Sequence, residues 1–251
     1  MKIAVFHNLP SGGAKRSLHE QVRRLSVEHK TSIYTLSCAN HTFCDVRSSA
    51  DAYRVFHFSP GPHCPHPFGL LDHGIRTIDI LRLRSVERAI ADEINRGGYD
   101  VALVHNDQFT QSPGVLRFLQ VPSVYYCPET LRKAYDPVVP RPYSSLTGLA
   151  AWADAANVLR YAYMRAVKRE DRTNLESASL VLTNSRFTRE TIFRLHGVES
   201  RVCYLGTDTD LFRPLGLPKG DFFLSVGSIA PNKGFDFVIS SLAMLPDYQR
   251  L

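Results

Sequence analysis

The sequence predicts an α/β fold, a doubly wound parallel sheet with helices on both faces, and two observations carry that prediction. Short runs almost continuous in apolar residues alternate with stretches whose apolar residues recur at helical spacing. Strands that read as uninterrupted apolar runs belong to sheets covered on both sides, because crossover helices bury each face. The 251 residues, 44% apolar and 22% charged, suffice for one large domain and a remnant of a second.

Taken in order, Lys-Ile-Ala-Val-Phe at 2–6 is the first strand. His7-Asn8-Leu9-Pro10-Ser11-Gly12-Gly13 breaks it, and Leu18, Val22 and Leu25 resume as a helix. Residues 33–36 and 53–58 read as the second and third strands, and the prolines, glycines and histidines from Ser59 to Gly69 predict a loop. Ile75, Ile78, Val86, Ile90 and Ile94 line one side of a long helix, closed by a left-handed cap at Gly97-Gly98. A strand follows at 101–104, then Ser112 and Pro113 read as N-cap and first-turn proline of a helix carrying Val115, Leu116 and Leu119. Another strand is expected at 123–126, a proline-bearing loop from Lys133 to Leu149, and a basic helix near 152–176. The strand at 180–183, the helix at 187–196 closed by Gly197 and a strand at 201–204 complete the domain.

Residues 210–220 read as a linker, and Phe222–Val226, Gly227 and a helix from Phe235 begin a fresh strand-turn-helix unit. The expected division is 1–209, linker 210–220 and 221–251. One strand and one helix cannot enclose a core, so the last part is expected to be the truncated start of a domain.

A formal charge of +6 favours anionic company: nucleotide diphosphates, acidic lipid headgroups or nucleic acid. Zinc-finger spacing, aromatics interleaved with basic residues and a Lys/Arg tail are all missing from the sequence, which sets nucleic acid aside. Five cysteines at irregular spacing give no disulfide framework. No run approaches the ~18 apolar residues of a spanning helix, and the opening reads as a strand, so a cytoplasmic protein is expected. The helix bearing Arg160, Tyr161, Arg165, Lys168, Arg169 and Arg172 leaves peripheral membrane contact open, although Glu170 and Asp171 dilute its charge and a solvated face is the alternative.

Gly12 and Gly13 stand between the first strand and its helix, where free N–H groups and the helix dipole attract a phosphate or sugar oxygen; a plain tight turn is the alternative. No third glycine or acidic ribose partner follows, against a nicotinamide-dependent oxidoreductase. His105 and Asn106 follow a strand at the sheet's carboxyl edge, where His105 would bond a substrate hydroxyl or hold its own loop. Glu129 and Arg132 lie at the next strand's end and would address the same cleft or pair with each other. Asn184 and Ser185 cap the helix after them and could also face the cleft. His57, His63, Cys64, His66 and His73 match no zinc spacing, so no metal is expected. Lys233, after the Gly227 turn and just ahead of a helix, is placed to face an anion.

In order and distance these motifs resemble the retaining glycosyltransferases of family 4, along the entire chain. Ser-Gly-Gly-Ala-Lys-Arg is similar to the family's glycine loop, Tyr-Asp-Val-Ala-Leu-Val-His-Asn to its strand ending in histidine, and Val-Leu-Thr-Asn-Ser to its Asn-Ser element. Tyr-Leu-Gly-Thr-Asp-Thr-Asp-Leu-Phe-Arg-Pro resembles the interdomain segment, and Val-Gly-Ser-Ile-Ala-Pro-Asn-Lys-Gly the entry to the donor domain. The resemblance implies a GT-B fold and a nucleotide sugar as co-substrate. The acceptor would be a glycan, a lipid-linked or a small molecule, in cell-envelope polysaccharide biosynthesis. It implies Gly12 and Gly13 near donor phosphates, joined by Lys233 and Ser228, with the lysine standing in for a metal ion. Ser228 replaces an arginine common in the family, and Pro128 a histidine or glutamine. The family's paired donor glutamates would fall beyond Leu251, so the chain is expected to be inactive alone. A non-catalytic glycan- or partner-binding module of the same fold is the alternative.

Overall fold

The computed structural model of the chain describes residues 1–64, 71–136, 157–218, 220–229 and 233–245. They form β1 (Lys2–Asn8), α1 (Gly13–Leu25), β2 (Lys30–Leu36), β3 (Ala52–Phe56), α2 (Asp72–Arg96), β4 (Val101–Asp107), β5 (Ser123–Tyr126), α3 (Arg132–Tyr135), α4 (Val158–Glu176), β6 (Leu180–Thr183), α5 (Arg186–His196), β7 (Arg201–Val202) and α6 (Phe235–Leu242), with 3-10 turns at Arg47–Ser49 and Gly114–Arg117. Two units separate, Met1–Leu205 and Gly206–Leu251.

The first unit is a seven-stranded sheet in the order β3-β2-β1-β4-β5-β6-β7. Its strands pair in parallel. The alternation along β1 shows why the strands read as unbroken apolar runs. Ile3 and Val5 pack with Leu18, Val22 and Ile33 on the α1 side. Ala4 and Phe6 pack with Leu83, Ile90, Ile94, Leu175 and Ile192 on the face carried by α2, α4 and α5. This is the doubly wound Rossmann-like arrangement.

Several elements depart from the sequence reading. Ile78 is 58% exposed; the buried stripe of α2 runs through Asp79, Ile80, Leu83, Glu87, Ile90 and Ile94 instead. Both carboxylates on that stripe are claimed by backbone donors: Asp79 accepts from Gly61 N at 3.0 Å and Glu87 from Gly114 N at 2.7 Å. Ser112 caps no helix. Its hydroxyl donates to Asp171 Oδ1 at 2.7 Å, and only a 3-10 turn follows. At the end of α2 the expected Gly97-Gly98 cap is present, with Gly98 as its left-handed residue (φ 64°). β4 runs on through His105, Asn106 and Asp107, because Asp107 bridges to Gln111 and its side chain to Asn8. β7 stops at Val202.

Glu170 and Asp171 do not dilute the surface charge of α4. Both are buried, Glu170 pairing with Arg84 and with Arg117 (3.1 Å), which ties α4 to α2. Phe222–Val226 is not a strand; an edge needs a neighbour to share its N–H and C=O groups, and α6 is the one regular element among the described residues of that unit. The expected loop of 59–69 is irregular as far as residue 64, and the parts of it and of 133–149 and 152–176 at 65–70 and 137–156 lie outside the described residues.

Ile90→Ala should cost about 2–5 kcal/mol in urea unfolding, with an unchanged denaturant slope, because Ile90 is fully buried between sheet and helices. Ile78→Ala on the same helix should stay within about 0.5 kcal/mol.

Candidate functional site

The strand order turns back on itself between β1 and β4, and ligands of open α/β sheets enter the crevice outside the carboxyl ends of strands at such a switch point. Here that edge is held by side chains. Asn8 Nδ2 donates to Asp107 Oδ2 at 2.6 Å across the two strands. Asp107 Oδ1 accepts from the backbone N–H of Phe109 (2.6 Å) and Thr110 (2.9 Å), so this carboxylate is spent on fixing the loop after β4.

Facing this edge is the start of α1. Gly12 sits at φ 142°, and no side chain caps the helix. The amides of Gly13, Ala14 and Lys15 have no acceptor among the described residues; the first intrahelical bond is Arg16 N to Gly12 O at 3.1 Å. A Cβ at Gly12 or Gly13 would meet nothing within 4 Å. An uncapped helix start beside open space is an oxyanion seat in waiting. Beside it lies a shallow depression of the surface, lined by Leu9, Ala14, Ser17, His105, Asn106, Tyr126 and Pro128.

His105 is buried, its Nε2 3.1 Å from Gln21 Oε1 and its ring 5.5 Å from that of Tyr126. Burial, helped by the charge of Lys15, pushes its pKa down to about 3. It is therefore a neutral imidazole with Nε2–H donating to Gln21, a hydrogen-bonding group and not a proton carrier at neutral pH. Asn106 accepts from the Tyr125 hydroxyl at 3.2 Å through Oδ1. Its amide nitrogen has no acceptor among the described residues, and the residue lines the same depression.

The other expected residues are less central. Arg132 pairs with Asp136 (2.9 Å); Glu129 acts on it only through its charge, and the exposed Glu129 carboxylate has no hydrogen bond or ion pair among the described residues. Ser185 caps α5, accepting from Thr188 N at 3.1 Å. Asn184 Oδ1 accepts from the Thr188 hydroxyl (3.1 Å), which also reaches Pro128 O (3.2 Å), so the pair braces the end of β5 against α5. In the second unit Ser228 and Lys233 are exposed, and the Lys233 stem lies against the Gly227 turn, 3.9 Å from where a Cβ there would stand. Among the described residues no group of His, Cys, Asp or Glu is arranged to hold a metal; His63 Nδ1 lies 2.9 Å from Asp72 Oδ2, and His66 is outside those residues. No helix among them is long and apolar enough to cross a membrane.

Four residues of the site were not singled out from the sequence: His7, Lys15, Gln21 and Tyr126. A signal existed for Lys15, which stands three residues before Leu18 and seven before Val22 and so shares the buried stripe of α1.

No family model matches the chain, and no curated protein matches it. Among solved structures it is similar to a sucrose-phosphate synthase from Thermosynechococcus elongatus, with a TM-score of 0.61 at 15% identity, over 98% of this chain and 60% of that one. Lower similarity links it to Medicago truncatula UGT71G1 complexed with UDP-glucose (TM-score 0.46, 9% identity, 98% of this chain and 57% of that one). Arabidopsis thaliana UGT89C1 complexed with UDP is comparable (TM-score 0.45, 14% identity, 98% and 55%). The likeness to the synthase bears on the fold, which is the Rossmann-like GT-B type. The chain spans 60% of the length of the synthase it matches.

Because the folded state holds His105 near pKa 3 against an ordinary value of 6.5, it binds fewer protons than the unfolded chain between those values. Stability should therefore rise with pH across that window and be lost as pH falls. His105→Gln should flatten the slope of unfolding free energy against pH, and the His105 ring nitrogens should show no titration between pH 5 and 8 by nitrogen-15 resonance.

Proposed function

We propose that the chain is the acceptor-side half of a glycosyltransferase that moves a sugar from a nucleotide-sugar donor to a glycan, lipid-linked or small-molecule acceptor, with retention at the anomeric carbon. The observation that carries this reading is the uncapped first turn of α1 at the switch point of the sheet. Three unclaimed N–H groups there suit a diphosphate, whose charge grows as the sugar leaves, and oriented backbone dipoles stabilise such charge without reorganising. The likeness to a sucrose-phosphate synthase supports the reaction class.

In this reading Gly12 and Gly13 let donor phosphates approach the backbone, and within the second unit Lys233, beside Ser228, offers an anion a cation in place of a metal. His105 and the amide of Asn106 hold sugar hydroxyls, His105 by handing its Nε2–H from Gln21 to the ligand. Glu129 is available to an acceptor hydroxyl, and Arg132, Asn184 and Ser185 shape the rim.

Gly13→Val tests the reading. The open space at Gly13 tolerates the added atoms, so melting should change little, while the side chain blocks the phosphate seat and should weaken nucleotide-sugar binding at least about tenfold, as followed by saturation-transfer resonance. Glycan binding with no response to any nucleotide sugar would replace the transferase by a glycan-binding module.

A further inference from the structure

Tyr125 of β5 is fully buried, and its hydroxyl meets two oxygens at once: Asn106 Oδ1 of β4 at 3.2 Å and the Gln111 carbonyl at 3.1 Å. A phenol has one proton and cannot serve both. Burial pushes the Tyr125 pKa well above the ordinary phenol value, which keeps that proton in place. The carbonyl has the stronger claim to it. It can only accept, and its position is fixed: Asp107 N–H donates to Gln111 O at 2.9 Å, Gln111 N–H returns to Asp107 O at 3.0 Å, and Gln111 Nε2 is anchored on Glu129 O at 2.8 Å. An asparagine amide, by contrast, carries an acceptor and a donor in nearly the same shape, and turning it over exchanges the two.

Turned over, Asn106 resolves the conflict. Its N–H2 donates to the phenol oxygen while the phenol donates to Gln111 O, so the three groups make two bonds where the single phenol proton alone would make one. The other side chains that bear on the phenol have no proton to spare. The Ser112 hydroxyl donates to Asp171 Oδ1 at 2.7 Å, and the Cys127 thiol donates to Glu129 O at 3.2 Å. The exchange carries Oδ1 to the unclaimed end of the amide, on a residue that lines the depression together with His105.

We propose that Tyr125 is a positioning residue that turns the Asn106 amide so that Oδ1, not the N–H2, faces the depression, and that this edge therefore reads a ligand hydroxyl by the proton it donates. A sugar hydroxyl meets that demand. Hydrogen or fluorine at the same carbon does not, since neither has a proton to give, and a site built around a hydroxyl's proton rejects both. The inference rests on the reading of Asn106 as a sugar contact and adds the sense of its hydrogen bond.

The test has two arms. In the free full chain labelled with nitrogen-15, the Asn106 side-chain amide, identified by its loss in Asn106→Ala, should cross-relax with the Tyr125 ring protons and exchange slowly with water. Tyr125→Phe, which keeps the ring, should speed that exchange at least about tenfold. The second arm takes uridine diphosphate glucose and its single deoxy and deoxyfluoro analogues, followed by saturation-transfer resonance. At one ring position both replacements should weaken binding at least about tenfold and to the same extent, and Asn106→Ala should erase the loss there. An amide that exchanges freely and does not cross-relax with Tyr125, or fluorine accepted as well as hydroxyl at every position, overturns the proposal. Nucleotide-sugar binding with a freely exchanging amide removes this inference and leaves the transferase reading; a protected amide in a chain blind to nucleotide sugars does the reverse.

Discussion

The bond between Asn8 and Asp107 holds together the two strand ends on which the site stands. β1 is paired in parallel on both sides, with β2 and with β4, and the register with β4 shifts between Phe6 and Asn8. The 2.6 Å contact from Asn8 Nδ2 to Asp107 Oδ2 closes that irregular end, and the other carboxylate oxygen gathers the N–H groups of Phe109 and Thr110. The turn after β1 and the loop after β4 are thereby fixed on opposite sides of one crevice, as the switch point of a doubly wound sheet requires.

Burial has a second consequence at this edge. His7, Lys15, His105 and Asp107 are all nearly inaccessible, and for each the leading effect of the surroundings is loss of water from the charged form. Desolvation drives the bases towards their neutral state and the acid towards protonation, while the hydrogen bonds to Asp107 resist the latter. The same low polarity strengthens any hydrogen bond a ligand makes with the free amides of α1.

What the sequence disclosed follows from which interactions are local. Strands at 2–6, 101–104, 123–126 and 180–183 and the glycine turn were legible because periodicity and backbone preference act over a few neighbours. The true end of β4 was not, since a bond to Asn8 nearly a hundred residues away sets it. Ser112 looked like a cap until Asp171, far along the chain, took its hydroxyl. Lys15 was hidden by its type: its helical position marked it as buried, yet a lysine seldom lies inside without an acid. The strand expected at 222–226 shows the limit from the other side, because β-propensity without a neighbouring strand yields no sheet.

Helix α4 shows how a composition-level reading inverts once faces are known. Glu170 and Asp171 look like acidic neighbours that moderate a basic surface, but one is locked between Arg84 and Arg117 and the other beneath Ser112. Arg165, Lys168 and Arg169 are left on the exposed side with no carboxylate partner among the described residues, and Lys168 rests its ammonium 5.3 Å from the ring of Tyr135. Two buried acids thus serve packing, while on the outward side Glu176 pairs with Arg172 at 2.8 Å and Arg165, Lys168 and Arg169 keep their charge.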